Sequence, residues 1–458
     1  MHTLFRKLNH SRVFSKLSEE EFSWVLYDVG NSAYTMLACS LIPIWFKHLA
    51  VGNGAGQISS DRATAYYSMT IAIVTIIVAL MGPVIGALAD HQDRKKLFFS
   101  TVTVIGAAGC IINGFAAGWV SFIVIYMIGR IFYNASLTIY DSMLNDITTE
   151  EKMDEVSSYG YAWGYIGSCI PFLAALAAYV LGPDMLGMIS DRLSMIIGFT
   201  VTGVWWVLVT MPLIRHYRQK NYARRDAHAV RAAMGRITHT LKHIALHDRK
   251  VLLFLIAFFL YIDGVGTIID NCINIGTDLN LNAVGQVIFL LATQVVAFGG
   301  SLVFAKLSSK YHTVTLILVC IVGYFSICLY ALMLKTLLDF AILAFAVGCF
   351  QGSIQSLSRS YYSKIIPPEH SGEYFGIYDI FSKGASFLGS IVIAAVKLAG
   401  GTINTAVACL AVFFALGFIF LRAADHAESG RISRKDDQGA GSGDAGVGMP
   451  LSGGTANM

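Results

Sequence analysis

The carboxylates of Asp28, Asp263 and Asp379, the guanidinium of Arg130 and the ammonium of Lys383 all fall inside long apolar runs. A charge at the centre of a spanning helix costs roughly 2.5–3.5 kcal/mol on insertion scales, so each group needs a partner, a wet cavity or a proton. That requirement limits their chemistry. A carboxylate in such a place can bind and release a proton, hold a solute, or close a gate by pairing with a cation. A buried guanidinium can bind an anionic group or sit in a static ion pair.

Spacing narrows the choices. Asp28, Asn31, Ser32 and Thr35 follow i, i+3, i+4, i+7 and form one polar stripe, which must face a bundle interior. Asp28 lies about 9 Å along the helix from Phe22, nearer its start than the midplane. It reads either as a proton or substrate carboxylate or as a gate partner. Asp263 lies about 18 Å into its run, which makes it the candidate proton carrier on depth. Gly264 and Gly266 follow it and permit close backbone approach. Arg130 stands mid-run with Tyr133 and Asn134 beside it, for an anionic group or a static pair. Asp379 and Lys383 are at i, i+4 in the order that favours an intrahelical pair. Alternatively, Lys383 pairs with Asp28 when the gate closes. Gln351 and Gln355 add neutral hydrogen-bonding groups. These residues form the expected solute or proton pathway.

The elements that must position them are membrane helices. Apolar residues make up 55% of the 458 and charged residues 14%, against ~25% charged in soluble domains. Twelve runs have the ~20 apolar residues that a span needs: 22–46, 63–89, 97–117, 119–140, 157–181, 194–214, 251–270, 283–305, 313–334, 337–358, 373–397 and 401–422. An even number places both termini on one side. The opposite side then carries only Lys47, Arg62, Arg192, Lys335 and Lys397 of the 33 basic residues, with Arg130 and Lys383 inside spans. That bias puts the termini in the cytoplasm and turns the net charge of +4 into a topology signal rather than a nucleic-acid one.

The expected organisation is a cytoplasmic segment 1–21, a six-helix half 22–214, a basic linker 215–250, a second six-helix half 251–422 and a disordered tail 423–458. Val230, Met234, Ile237, Leu241 and Ile244 give the linker an amphipathic helix at the membrane interface. His239, His243 and His247 share one of its faces; a basic surface toward headgroups is preferred over a metal site. Small-residue pairs Gly82/Gly86 and Gly160/Gly164 suit tight helix contacts. The eight cysteines include no CxxC pair and read as packing.

"GALADHQDRKK" (86–96) resembles the signature loop of the major facilitator superfamily, with Asp93 where that pattern has a second glycine. The resemblance implies that Asp90 contacts the start of span 11 near Gly372 and Glu373 in one conformation. Asp90, Arg94 and Asp379 are then the expected gating residues. "AKLSSKYHTVT" (305–315) is a degenerate second copy of the loop, which implies a repeat of two halves rocking about a central cavity. "YDVGNSAY", "SSYGYAWGYIG", "QSLSRS" and "IIPPEHSGEYFGIYDIFSKGAS" resemble, in order, the vacuole-effluxer branch of that superfamily. "IYDSMLNDI" (139–147) is similar too, but Asp141 stands where that branch usually has asparagine. The resemblance implies an all-α, twelve-helix, alternating-access transporter of a small solute. An amino acid or similar polar metabolite is the first choice, with proton coupling open and efflux associated with eukaryotic members.

No Walker, HExxH or GxSxG pattern is present, so ATP drive, enzyme activity and a cofactor are not expected. The expected setting is a monomer in the plasma membrane, or the vacuolar membrane of a eukaryote, partnered by lipid, solute and protons. The rivals are a carrier of an amphipathic solute or lipid, and a non-transporting sensor or scaffold on the same fold.

Overall fold

The computed structural model describes residues 17–52, 56–184, 190–223, 229–271, 283–383 and 387–427; most of the expected N-terminal segment and tail lie outside them. Within the described residues all regular elements are helices, apart from two isolated bridges. Span 1 is Glu19–Cys39, continued as Leu41–Ala50; spans 2 to 6 are Ser60–Ala89, Lys95–Asn113, Trp119–Ser142, Met153–Asp184 and Asp191–His216. Spans 7 to 10 are Arg249–Asp270, Ala283–Leu307, Thr313–Tyr330 and Leu337–Ile365. Span 11 comprises Ser371–Lys383 and Phe387–Leu398, and span 12 Ile403–Cys409 and Ala411–His426. Eleven of these segments are long and apolar enough to cross a membrane, and span 8 is the twelfth, apolar over Leu291–Leu307.

Local sequence explains the departures from the expected runs. Pro43 has no amide hydrogen and its ring would strike the carbonyl of Cys39, so span 1 is interrupted at Ser40. Ser18 and Glu21 form a capping box that starts span 1 three residues earlier than its apolar run. Span 10 continues seven residues past its expected end because Arg359, Tyr361, Tyr362 and Ile365 are buried against neighbouring helices.

Each half has its own core. One cluster joins Trp24, Tyr27, Tyr140 and Trp206 with other residues between Leu17 and Tyr217. The other joins Phe254, Tyr261, Tyr324 and Phe414 with residues between Ile244 and Ala424. No residue belongs to both, so each half has an apolar core of its own. Around both, Leu80, Leu338 and Leu398 are among many large apolar side chains left exposed, a belt suited to hydrocarbon and not to water.

Glycines set the closest helix crossings. A Cβ at Gly376 would strike the backbone of Pro83, and one at Gly86 the carbonyl of Gly372, so spans 2 and 11 cross at backbone contact. Gly160 and Gly164 leave the space on span 5 that Asp28 and Ser32 of span 1 occupy. Ser371–Lys383 packs on spans 2 and 4 of the first half, whereas Phe387–Leu398 packs on spans 7 and 12 of its own half. Through span 11 the halves therefore meet at the end where both termini emerge, the terminal end, and not at the other, distal end.

The 2–3 loop carries one backbone outlier. Asp93 has φ 60°, the left-handed region that favours glycine, at the position where the superfamily pattern has glycine. A short polar side chain makes this tolerable rather than free of strain. Asp93→Gly should stabilise the protein by about 1 kcal/mol, read as a small rise in melting temperature. A lower melting temperature would show that the carboxylate is needed there.

The linker forms the expected helix, Ala229–Leu246. The rings of His239, His243 and His247 stack in sequence at 6.5 and 5.5 Å. Among the described residues no cluster of three His, Cys, Asp or Glu converges as metal ligands would.

Candidate functional site

The polar groups that join the halves converge on Arg359, in the last turns of span 10. Its side chain is 3% exposed. Nη2 donates to Oδ2 of Asp28 at 3.2 Å, and Nη1 to Oδ1 of Asp141 at 3.0 Å. Nε donates to the Ser157 hydroxyl at 3.0 Å, and Nη2 also to the Ser157 carbonyl at 3.1 Å. Trp24, Tyr161 and Tyr140 present their rings to the guanidinium at 4.5, 4.6 and 5.5 Å. Every one of these partners belongs to the first half. Asn31 donates to the second oxygen of Asp28 at 3.1 Å, so the stripe on span 1 serves to hold this carboxylate.

The charge balance of the cluster is uneven. One guanidinium faces two buried carboxylates. Close by, Asp379 and Lys383 neutralise each other at 2.7 Å, and Thr138, one turn before Asp141, donates to Asp379. Asp28 and Asp141 thus share one counter-ion, and the cluster holds one more acid than base.

Two further contacts close the terminal end. Asp90 accepts the backbone N–H groups of Gly372 at 2.8 Å and Glu373 at 2.9 Å, so it caps the first helix of span 11. This is the contact implied by the loop's resemblance. Lys95, fully buried, lies 3.3 Å from Asp90 and 3.6 Å from Asp146, and donates to the Ser371 hydroxyl at 2.9 Å. Asp146 also accepts from the Tyr217 hydroxyl and from the backbone of Asn221, which ties the start of the linker to the same knot. On the other side of the bundle, Asp154 of span 5 binds Lys364 at 2.8 Å, Ser360 at 2.6 Å and Thr313 at 2.6 Å.

Lys383 pairs with Asp379 one turn back, the i, i+4 option, and not with Asp28, whose cation is Arg359. In the loop it is Lys95 that is buried; Arg94 is exposed at the start of span 3. Asp263 is fully buried at the expected depth, but its oxygens take the backbone N–H groups of Leu388 at 3.1 Å and Gly389 at 2.9 Å and the Thr267 hydroxyl at 3.2 Å. It thus caps the second helix of span 11, as Asp90 caps the first. This capping role stands beside the proton role that its depth suggests.

The rest of the expected pathway splits into two groups. Gln351 and Gln355 of span 10 face the Tyr165 hydroxyl of span 5 across the halves, and Gln294 approaches Met36 at 2.8 Å. Tyr133 shares a 2.6 Å hydrogen bond with Thr35 and lies against Arg130, whose guanidinium is 5.0 Å from its ring. The Asn134 amide is spent on the Arg130 carbonyl at 2.7 Å and stiffens span 4. Arg359, Asp141 and Lys95 escaped the expected set. Arg359 was hidden by its place beyond the apolar run, although the "QSLSRS" block contains it.

A family model described as "Vacuole effluxer Atg22 like" matches residues 18–433. The MFS-type transporter YxiO of Bacillus subtilis is 37% identical over 428 residues, covering 93% of this chain and 99% of that protein. Autophagy-related protein 22 of Eremothecium gossypii is 21% identical over 84% of this chain and 86% of its own. The fold is similar to that of FucP, an MFS transporter solved in the outward conformation, with TM-score 0.67, 15% identity and coverage of 88% and 98%. It is also similar to that of the proton:xylose symporter XylE, with TM-score 0.69, 11% identity and coverage of 90% and 96%.

Proposed function

This chain belongs to the vacuole-effluxer family of the major facilitator superfamily, as an MFS-type transporter and not an enzyme, and we propose that it carries an amino acid or a polar metabolite of similar size by proton-coupled alternating access. The observation that carries this reading is the Arg359 cluster. It links two halves with separate cores and sets two carboxylates against one guanidinium. Protonation of Asp141 weakens the hold of the first half on Arg359 and lets the terminal end open. Asp90, Lys95 and Asp379 act with it as gate residues. Asn31, Gln351, Gln355, Tyr133 and Arg130 border the solute path.

The side carrying both termini is the cytoplasm, by the bias of basic residues, so the conformation described is closed to the cytoplasm and open outward. The protein works as a monomer in the plasma membrane, or in the vacuolar membrane of a eukaryote. The test is uptake of labelled amino acids into reconstituted vesicles with an imposed pH gradient. Flux that follows the gradient is expected. Absence of flux for every solute tried, with and without the gradient, rules the reading out.

The capping contact at span 11 gives a separate check. Asp90→Ala removes the acceptor for Gly372 and Glu373 and one partner of Lys95. The resting population should shift toward the cytoplasm-open form, seen as faster reaction of Lys95 with an amine reagent. Solute preference should be unchanged, and an altered preference argues against a purely gating role for Asp90.

A further inference from the structure

We infer that Arg130 is the docking point for a carboxylate on the transported solute; the inference rests on the transporter reading and names the solute group it requires. Arg130 lies about halfway along span 4, on the part of the first half that faces away from the terminal gate. Its Nη1 is buried, and among the described residues no hydrogen-bond acceptor reaches it and no carboxylate pairs with the guanidinium. This is the opposite of Arg359, which meets two carboxylates and a serine. A permanent cation with a buried donor that meets no acceptor is an incomplete site.

The surroundings say which group would complete it. The rings of Tyr133 and Tyr34 lie 5.0 and 6.0 Å from the guanidinium carbon and 4.8 Å from each other, so both stand on one side of it. Both rings are braced by Trp206, each at 5.6 Å, and Tyr133 is fixed further by Thr35. The planar fork of N–H donors on the guanidinium edge matches a carboxylate in the same plane, bonded through both oxygens. Cys39, one turn after the Thr35 that holds Tyr133, is exposed. Met36, on the same stretch of span 1, meets Gln294 of span 8, so this part of the first half borders the second. A solute bound through its carboxylate to Arg130 would therefore lie between the halves on the distal side of Gln351 and Gln355.

Thermal unfolding of the purified protein with acetate, acetamide, inorganic phosphate, L-leucine and L-leucinamide tests this directly. Acetate and L-leucine should raise the melting temperature by a few degrees and the two amides should not. In Arg130→Gln the carboxylate effect should vanish. The unliganded variant should melt at or above the wild-type temperature, because a charge without an acceptor has been removed. A drop of several degrees in the unliganded variant would mean that Arg130 has a structural partner, and the inference fails. It fails also if amides or phosphate stabilise as well as carboxylates do, or if the variant keeps the carboxylate effect. Vesicle flux separates the two levels. Transport of carboxylate-free solutes at undiminished rate by Arg130→Gln and wild type alike overturns the docking point and leaves the transporter standing. Carboxylate-dependent stabilisation without flux of any solute supports the docking point and overturns the transport reading.

Discussion

Arg359→Met should destabilise the cytoplasm-closed form by roughly 3–5 kcal/mol, because it strips the only cation from two buried carboxylates. That is a shift of about 100-fold or more in the balance between closed and open forms. The two apolar cores do not include Arg359, so the halves should stay folded while flux is lost. The measurement is vesicle uptake beside a melting curve. The companion variant is Arg359→Met with Asp28→Asn and Asp141→Asn. Replacing a whole buried ionic cluster by neutral groups is often tolerated, so closure and melting temperature should recover in the triple variant. Gradient-driven accumulation should not recover, because no titrating carboxylate remains at the gate. If Arg359→Met alone accumulates solute as wild type does, the cluster is not the gate.

The second large effect concerns Asp263. Asp263→Ala removes the acceptor for two backbone N–H groups and a hydroxyl in a fully buried place, a loss of about 1.5–3 kcal/mol per charge-assisted bond. A large fall in melting temperature is expected. Asp263→Asn keeps one carbonyl oxygen and should fold. Its flux should be reduced modestly, with the dependence on pH left as in wild type. Asp141→Asn should do the reverse, keeping the fold and flattening the pH dependence. Asp263→Asn protein that folds normally but no longer follows the pH gradient would return the proton role to Asp263 and remove it from the Arg359 cluster.

These two predictions show where sequence reasoning reached and where it stopped. Local relations were readable. The Asp379–Lys383 pair is a matter of one helical turn, and the stripe on span 1 follows from its spacing. The fold followed from apolar run length, and the Asp90 contact from the resemblance of one loop. Partners on different helices were not readable in this way. Spacing leaves Asp28 open between a proton or substrate role and a gate partner, and only helix adjacency brings Arg359 to it. Arg359 lies past the end of the apolar run of span 10, where a basic residue looks like a topology marker. Position along span 7 says nothing of the backbone N–H groups of span 11 that Asp263 accepts. Asp141 was noticed only as a departure from the related sequences, although that same departure supplies the second carboxylate on Arg359.

The aromatic ring set around Arg359 has a spectroscopic consequence. Trp24 belongs to the first half, stacks on Tyr140 at 4.4 Å and lies 4.5 Å from a guanidinium of the second half. Indole emission responds to a neighbouring charge and to water. Separation of the halves at the terminal end would remove the charge and wet the ring at the same moment. Of the six tryptophans, Trp24 alone has this cation over its ring among the described residues. Under the proposed proton-driven opening, Trp24 is a built-in optical reporter, and a red shift of its emission on acidification is the expected signal, followed in real time without any attached dye.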